Sequence, residues 1–209
     1  MQKLLLAALF VGVAFATLGV DVSQNFYVPV FKCLHDNGYD FAIIRAYCST
    51  GRPDDSSVHT VYNAWEGGMK HVDIYMFPCP KCGNPAGQVR DAIAHQRAYN
   101  TTYGMFWLDI EEPSYWMDQG SNRNFIQGLI DEARAEGQVV GIYTNLYQWS
   151  SIAGDWSGAA GYPLWWAYYD GSPSYDHWQN FGGWSKPAIK QFQGDATVCG
   201  ADIDRNWYP

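Results

Sequence analysis

Met105-Phe106-Trp107-Leu108-Asp109-Ile110-Glu111-Glu112-Pro113 is an apolar run containing an aromatic pair, and it ends in three acids and a proline. Such a run reads as a buried strand, and Pro113, which has no N–H for a sheet ladder, closes it. Side chains alternate faces along a strand, so Asp109 and Glu111 project together while Ile110 points into packing. Two like charges at roughly 7 Å repel, so the pair is stable where one member keeps its proton or where a ligand needs both. Taken alone, the stretch also fits an acidic strand end facing water; the elements around it decide.

Strand and helix patterns alternate on both sides of it. Toward the N-terminus, 17–22 reads as a strand that carries Asp21. Ser23 reads as the N-cap of a helix to Asp36, which Asn37-Gly38 stops. Strand 41–47, helix 57–66, strand 72–77 before Pro78, and helix 86–99 follow. Toward the C-terminus come helix 122–135 with Gly137 behind it, strand 139–144, and apolar runs at 164–169, 188–192 and 201–204. This alternation implies crossover connections and a parallel sheet covered by helices. About eight strands in about 190 residues close into a barrel. Residues 169–187 hold too many Gly, Pro and Ser for a regular helix. The expected fold class is therefore α/β, an irregular (β/α) barrel with shortened or missing later helices. The alternative, an open doubly wound sheet, lacks its Gly-x-Gly-x-x-Gly fingerprint.

Residues 1–16 carry one cation, Lys3, then an apolar run and Ala14-Phe15-Ala16, the pattern of a secretory signal with cleavage before Thr17. The run is too short to span a bilayer, and no later segment is long and apolar enough, so no membrane anchor is expected. The expected product is exported and monomeric, with one catalytic domain over 17–209. The chain has 13 Lys plus Arg against 21 Asp plus Glu, net −8, and loss of Lys3 makes it −9. Without a basic run to neutralise phosphates, a nucleic-acid partner is excluded. No cofactor or metal fingerprint is present, and neither is expected. Ten Trp and 15 Tyr exceed what a core of this size needs, and their flat faces with polar edges suit sugar rings.

Five cysteines in an oxidising route imply disulfides and one thiol left over. Cys79 and Cys82, two residues apart, are expected to bridge locally, half a zinc site being the other reading of the spacing. Cys33 with Cys199 is the next candidate pair, leaving Cys48 free. Asn100-Thr101-Thr102 is a glycosylation sequon in a loop, usable in a eukaryotic host.

In a barrel of this kind, chemistry sits at the C-terminal ends of the strands. Those ends supply Asp21, Arg45, Tyr75, Phe77, Asp109, Glu111, Tyr143, Trp166, Tyr168, Gln191, and Asp202 or Asp204. Carboxylates for proton transfer and rings for stacking compose a glycosidase cleft. Singly, each has a structural alternative: Arg45 as a neutraliser of the acids, Tyr75 and Tyr143 as core rings, Asp21 as a cap.

The motifs Gly19-Val-Asp21-Val-Ser23, Phe41-Ala-Ile-Ile-Arg45, Asp73-Ile-Tyr75-Met-Phe77, Asp109-Ile-Glu111, Gly141-Ile-Tyr143-Thr, Leu164-Trp-Trp-Ala-Tyr168, Gln191-Phe and Ile203-Asp204-Arg-Asn206 resemble, in the same order, family-25 glycoside hydrolases, the Ch-type lysozymes. The loop from Phe77 through Cys79 and Cys82 and the Cys199-Gly ending look like the animal and protist branch. The resemblance implies a retaining muramidase that cuts the β-1,4 bond between N-acetylmuramic acid and N-acetylglucosamine in bacterial peptidoglycan. Glu111 matches the general acid and Asp109 its partner carboxylate, with Asp21 and a last-strand aspartate completing the cleft. Asp204 fits the family's closing Asp-x-Asn, and Asp202 fits the strand alternation almost as well. Arg45, Tyr75, Phe77, Tyr143, Trp166, Tyr168 and Gln191 are the expected substrate-binding residues. Where many bacterial members have Tyr-His-Phe, this chain has Tyr75-Met76-Phe77. The rival readings are a non-catalytic glycan-binding barrel and a chitinase-like glycosidase. The latter needs more acids where Tyr103 and Gly104 stand.

Overall fold

Nine strands form one sheet in the computed structural model, which describes residues 16–209. They are β1 (Thr17–Val22), β2 (Tyr39–Cys48), β3 (Arg52–Pro53), β4 (His71–Met76), β5 (Met105–Asp109), β6 (Val139–Thr144), β7 (Leu164–Ala167), β8 (Ile189–Val198) and β9 (Ala201–Tyr208). Eight close a barrel in the order β1-β9-β8-β7-β6-β5-β4-β2, and β2 pairs back to β1. β3 stands outside the ring as a short hairpin partner of β2. Helices α1 (Val28–Asp36), α2 (Ser57–Glu66), α3 (Pro85–Ala98), α4 (Gln119–Ala135) and α5 (Leu146–Ala153) cover the outside. The segment read as an export signal lies, but for its last residue, outside the described residues.

Alternation along the strands produces two apolar layers. Phe41, Ile43, Tyr75, Trp107, Tyr143, Trp165 and Ile189 fill the barrel. Ala42, Ile44, Ile74, Leu108 and Ile142 belong instead to the layer that meets Val61, Ile93, Ile126 and Leu129 of the helices. Indole and phenyl rings inside so narrow a barrel need gaps on the neighbouring strands. Gly19 and Gly141 supply them, since a Cβ at either would collide with the ring of Phe41 or Trp107. At the barrel floor the Asp73 carboxylate accepts the Trp107 indole N–H at 2.9 Å and the Met105 amide at 2.7 Å.

Two expectations need correction. The sheet is not wholly parallel: β9 runs antiparallel to both β8 and β1. Only Cys199-Gly200 separates β8 from β9, and both residues have positive φ, +58° and +73°. A two-residue turn of this kind joins antiparallel neighbours, whereas a parallel return needs a dozen residues or more. Ser23 does not cap the first helix. That helix starts at Val28 with Pro29 in its first turn, where a missing N–H has no partner to lose. The Ser23 carbonyl instead accepts the Arg45 guanidinium at 2.7 Å. The connection between β7 and β8 holds no helix, as its composition implies.

Both expected disulfides are present, Cys33–Cys199 and Cys79–Cys82, and Cys48 is a free thiol. Cys33–Cys199 spans 166 residues and ties α1 to the tip of the β8–β9 hairpin, while Cys79–Cys82 spans three. Constraint on the unfolded chain grows with the closed loop. Replacing Cys33 and Cys199 by Ser should lower unfolding free energy in urea by about 2–4 kcal/mol, with much less effect from the same change at Cys79 and Cys82. Equal losses from the two pairs would contradict this account.

Candidate active site

The C-terminal ends of the strands bring the acids together at one mouth, and hydrogen bonds fix their backbones first. Past the end of β5 the Ile110 amide donates to the Tyr143 carbonyl at 2.9 Å, and the Thr144 hydroxyl donates to the Ile110 carbonyl at 2.8 Å. The Trp116 indole N–H holds the Glu111 carbonyl at 2.8 Å. Glu112 then turns the chain with φ +56° and ψ +74°, a left-handed conformation uncommon for a non-glycine residue. Glu111 is thereby set at the mouth, with Ile110 buried behind it and Asp109 buried below.

Asp21 and Asp204 are register partners across the β1–β9 seam. Gln191 of β8 spans them: its amide nitrogen donates to Asp21 Oδ1 at 2.8 Å and to Asp204 Oδ2 at 3.1 Å. Its carbonyl oxygen accepts the hydroxyls of Tyr143 at 2.6 Å and Tyr169 at 2.8 Å. Asn206 adds a second donor to Asp21 Oδ1 at 2.7 Å and is itself held by the Trp165 indole at 2.7 Å. Asp195 donates its backbone N–H to Asp204 at 2.8 Å. Asp202 is exposed and bonded to Thr197, so Asp204 is the last-strand acid of the cluster.

Burial sets the proton affinities. It raises Glu111 to about 7, helped by the charges of Glu112 and Asp204. It raises Asp21 to about 8, with Asp204 adding to the rise and the Asn206 and Gln191 bonds opposing it. Asp109 is pushed well above the carboxylate range by burial and then by Glu111 and Asp21, and its Oδ1 has no hydrogen-bond partner. Burial thus favours the protonated form of Asp21, Asp109 and Glu111 alike.

A cleft of about 930 Å³ opens beside Glu111, walled by Tyr143, Tyr147, Tyr168, Tyr169, His177 and Gln179. A second depression of about 140 Å³ holds Asp21, Tyr75 and Asp204. The expected substrate-binding residues divide between the cleft wall and the packing around it. Gln191 is buried, and all its polar valences are used within the protein, so it braces acids rather than offering an atom to a ligand. Arg45 is engaged by Asp54 at 2.9 Å and by Ser23, and its charge opposes the rise in proton affinity of Asp109, the neutralising role left open by the sequence. Trp166 points away from the barrel interior, which Trp165 and Ala167 fill, yet it lines the cleft, stacked on Tyr168 with centroids 5.0 Å apart. Phe77 packs on Tyr115 at 5.8 Å beside the interior cluster, and Tyr75 is buried against Trp165.

Sequence reading passed over Tyr169, Asp54 and Lys190. Lys190 is wholly buried, and its ammonium bonds both Asp170 carboxylate oxygens at 2.7 and 2.8 Å and the carbonyls of Ser172 and Ser174 at 2.9 Å. It thereby fixes the helix-free loop that carries the cleft's outer wall. A lysine inside an apolar strand was the available signal, since such a charge is almost never buried without a partner.

A family model described as Lys-1, Lysozyme-like protein 1, matches residues 13–192. The chain is 48% identical over 194 residues to probable GH family 25 lysozyme 2 of Dictyostelium discoideum, covering 93% of this chain and 92% of the relative. It is 40% identical over 201 residues to lysozyme-like protein 5 of Caenorhabditis elegans, covering 94% of each. The bacterial lysozyme from Streptomyces coelicolor has the same fold, with TM-score 0.76 at 24% identity over 93% of each chain. So does the muramidase from Acremonium alcalophilum, with TM-score 0.75 at 23% identity over 92% of this chain and 93% of that one. Identity of this order over nearly the whole length settles the kinship: the chain belongs to the GH family 25 lysozymes and is a glycoside hydrolase.

Proposed function

We propose that the protein is an exported, monomeric muramidase that cleaves the β-1,4 bond between N-acetylmuramic acid and N-acetylglucosamine of bacterial peptidoglycan with retention. The observation that carries this reading is Glu111, mostly buried at the edge of an aromatic-walled cleft and holding its proton up to about pH 7. A carboxylic acid with that affinity can protonate a glycosidic oxygen under mildly acidic conditions.

Asp109 lies deeper, two residues before Glu111, with an Oδ1 that no protein group satisfies. A buried orphan acceptor is costly until something donates to it. The acetamido N–H of a bound amino sugar is such a donor. Its bond favours the ionised form of Asp109, and the positive charge that develops at the anomeric carbon favours it further. With Asp109 orienting the acetamido group, that group's own oxygen attacks the anomeric carbon while Glu111 protonates the leaving oxygen. Water then opens the resulting oxazolinium with Glu111 as base, and two inversions give retention. Asp21 and Asp204, neutralised in part by shared donors and protons, complete the acidic mouth. The walls of Tyr143, Tyr168 and Tyr169 offer ring faces to the sugars.

Glu111→Gln keeps the shape and removes the titrating proton. It is expected to lower clearing of bacterial walls by roughly 10²-fold or more while wall fragments still bind. Asp109→Asn should also cost turnover, because an amide does not gain charge as the cationic centre forms. Normal clearing by Glu111→Gln would overturn the assignment of Glu111 as the acid, whereas wall binding without clearing by the unaltered protein would leave a glycan-binding barrel as the better reading.

The pH dependence has a definite sign. Deprotonation of Glu111 near pH 7 removes the acid, so activity should be greatest on the acid side and fall as pH rises through about 7. Folded-state affinities of Glu111 and Asp21 lie above those of unfolded carboxyls. The stability they confer is complete below about pH 4 and is lost as pH rises through about 7 to 8. Melting temperature should therefore fall between pH 5 and pH 8.5, and Asp21→Asn should flatten that fall. A profile rising into alkali for either quantity would be inconsistent with the site.

A further inference from the structure

At the end of the barrel opposite the mouth, three aromatic side chains are left in water around one short loop. Tyr62 is 42% exposed, Trp65 36% and Tyr99 48%. The Tyr62 hydroxyl donates to the Tyr99 carbonyl, and the Trp65 indole N–H donates to the Thr102 carbonyl at 2.7 Å. The two α2 rings thus bracket residues 99–102, and His59 and His95 pack on Tyr99 with centroids 6.1 and 5.6 Å away. Between the bracketed carbonyls stands Asn100-Thr101-Thr102, a sequon. Asn100 ends the turn after α3 in a left-handed conformation, φ +54°, and both it and Thr102 are exposed. Thr101 is occupied, its hydroxyl donating to the Gln96 side chain at 2.8 Å, which braces the loop without using the hydroxyl of Thr102.

We propose that Asn100 carries an N-linked oligosaccharide whose first sugars lie on the Tyr62, Trp65 and Tyr99 rings. Exposed apolar rings clustered on one patch ask for a cover, and sugar faces stack on aromatic rings. A glycan attached at the centre of the patch meets those rings with little loss of freedom on contact. In the coupling step the Asn100 amide nitrogen attacks the anomeric carbon of a polyprenyl-pyrophosphate-linked oligosaccharide. A C–N bond forms, the C–O bond to pyrophosphate breaks, the amide loses one proton and the lipid pyrophosphate leaves. The two disulfides place the folding chain in an oxidising compartment, the kind in which that donor is used. Because the loop precedes β5, on the far side from the mouth, the glycan leaves the cleft open.

The full chain is produced in a eukaryotic cell that exports and glycosylates proteins, beside Thr102→Ala, which destroys the sequon and keeps Asn100, and Thr102→Ser, which preserves it. Peptide mass mapping before and after amidase removal of N-glycans reads occupancy. Hydroxyl-radical footprinting reads exposure of the three rings. The proposal expects a glycan on Asn100 in wild type and Thr102→Ser and none in Thr102→Ala. It also expects at least twofold slower oxidation of Tyr62, Trp65 and Tyr99 when the glycan is present, and a melting temperature about 2 °C lower without it. An unmodified Asn100 overturns the proposal, and so does a glycan that leaves all three rings oxidised at the unglycosylated rate. Wall clearing by the same samples should agree within twofold, so loss of activity in all of them would bear on the proposed reaction and not on this site.

Discussion

Asp21 and Asp204 oppose each other across the strand pair that closes the barrel. Directly opposed like charges push a strand pair apart, and here the pair is also out of water. One amide resolves the conflict. Gln191 gives one N–H to each carboxylate and takes two tyrosine hydroxyls on its oxygen, so four strands, β1, β6, β8 and β9, meet at a single side chain. Burial raises the proton affinities of these acids against the lowering that the donors supply. Closure of the barrel and the acid–base character of its mouth are in this sense one problem with one solution.

That solution depends on the direction of the last strand. β9 returns against β8, so its inward residues Asp204 and Asn206 face β1 at the mouth and fall within reach of Asp21 and Gln191. The same end of the molecule lacks a helix between β7 and β8. Lys190 takes over there, gathering Asp170, Ser172 and Ser174 around a buried ammonium and leaving Tyr168 and Tyr169 free to wall the cleft.

Most strands and helices were readable because period-two and helical spacing are local properties. Helix 57–66 and strand 139–144 fall where their patterns put them. The direction of β9 was not readable in the same way, since apolar alternation is the same for either polarity. The turn chemistry of Cys199-Gly200 carried the information and was outweighed by the run of crossovers before it. Asp109 and Glu111 could be found because paired acids at a strand end are rare. Their charge states could not, because these depend on burial and on Glu112 and Asp204, which are contacts of the folded chain. Gln191 looked like a ligand-binding amide for a similar reason: nothing in a sequence shows that all its valences are already filled. At Trp165-Trp166 alternation holds, sending one indole into the interior and its neighbour to the outer layer, but a pair of identical side chains does not show which is which.

The reversed β9 has a topological outcome. Thr17 and Tyr208 are register partners across the β1–β9 seam, so β1 begins and β9 ends side by side at the end of the barrel away from the cleft. Sequence joined at either point would hang from the closed end, away from the cleft. A short linker between Thr17 and Tyr208, with the chain cut instead in an exposed loop, would leave the ring of strands whole.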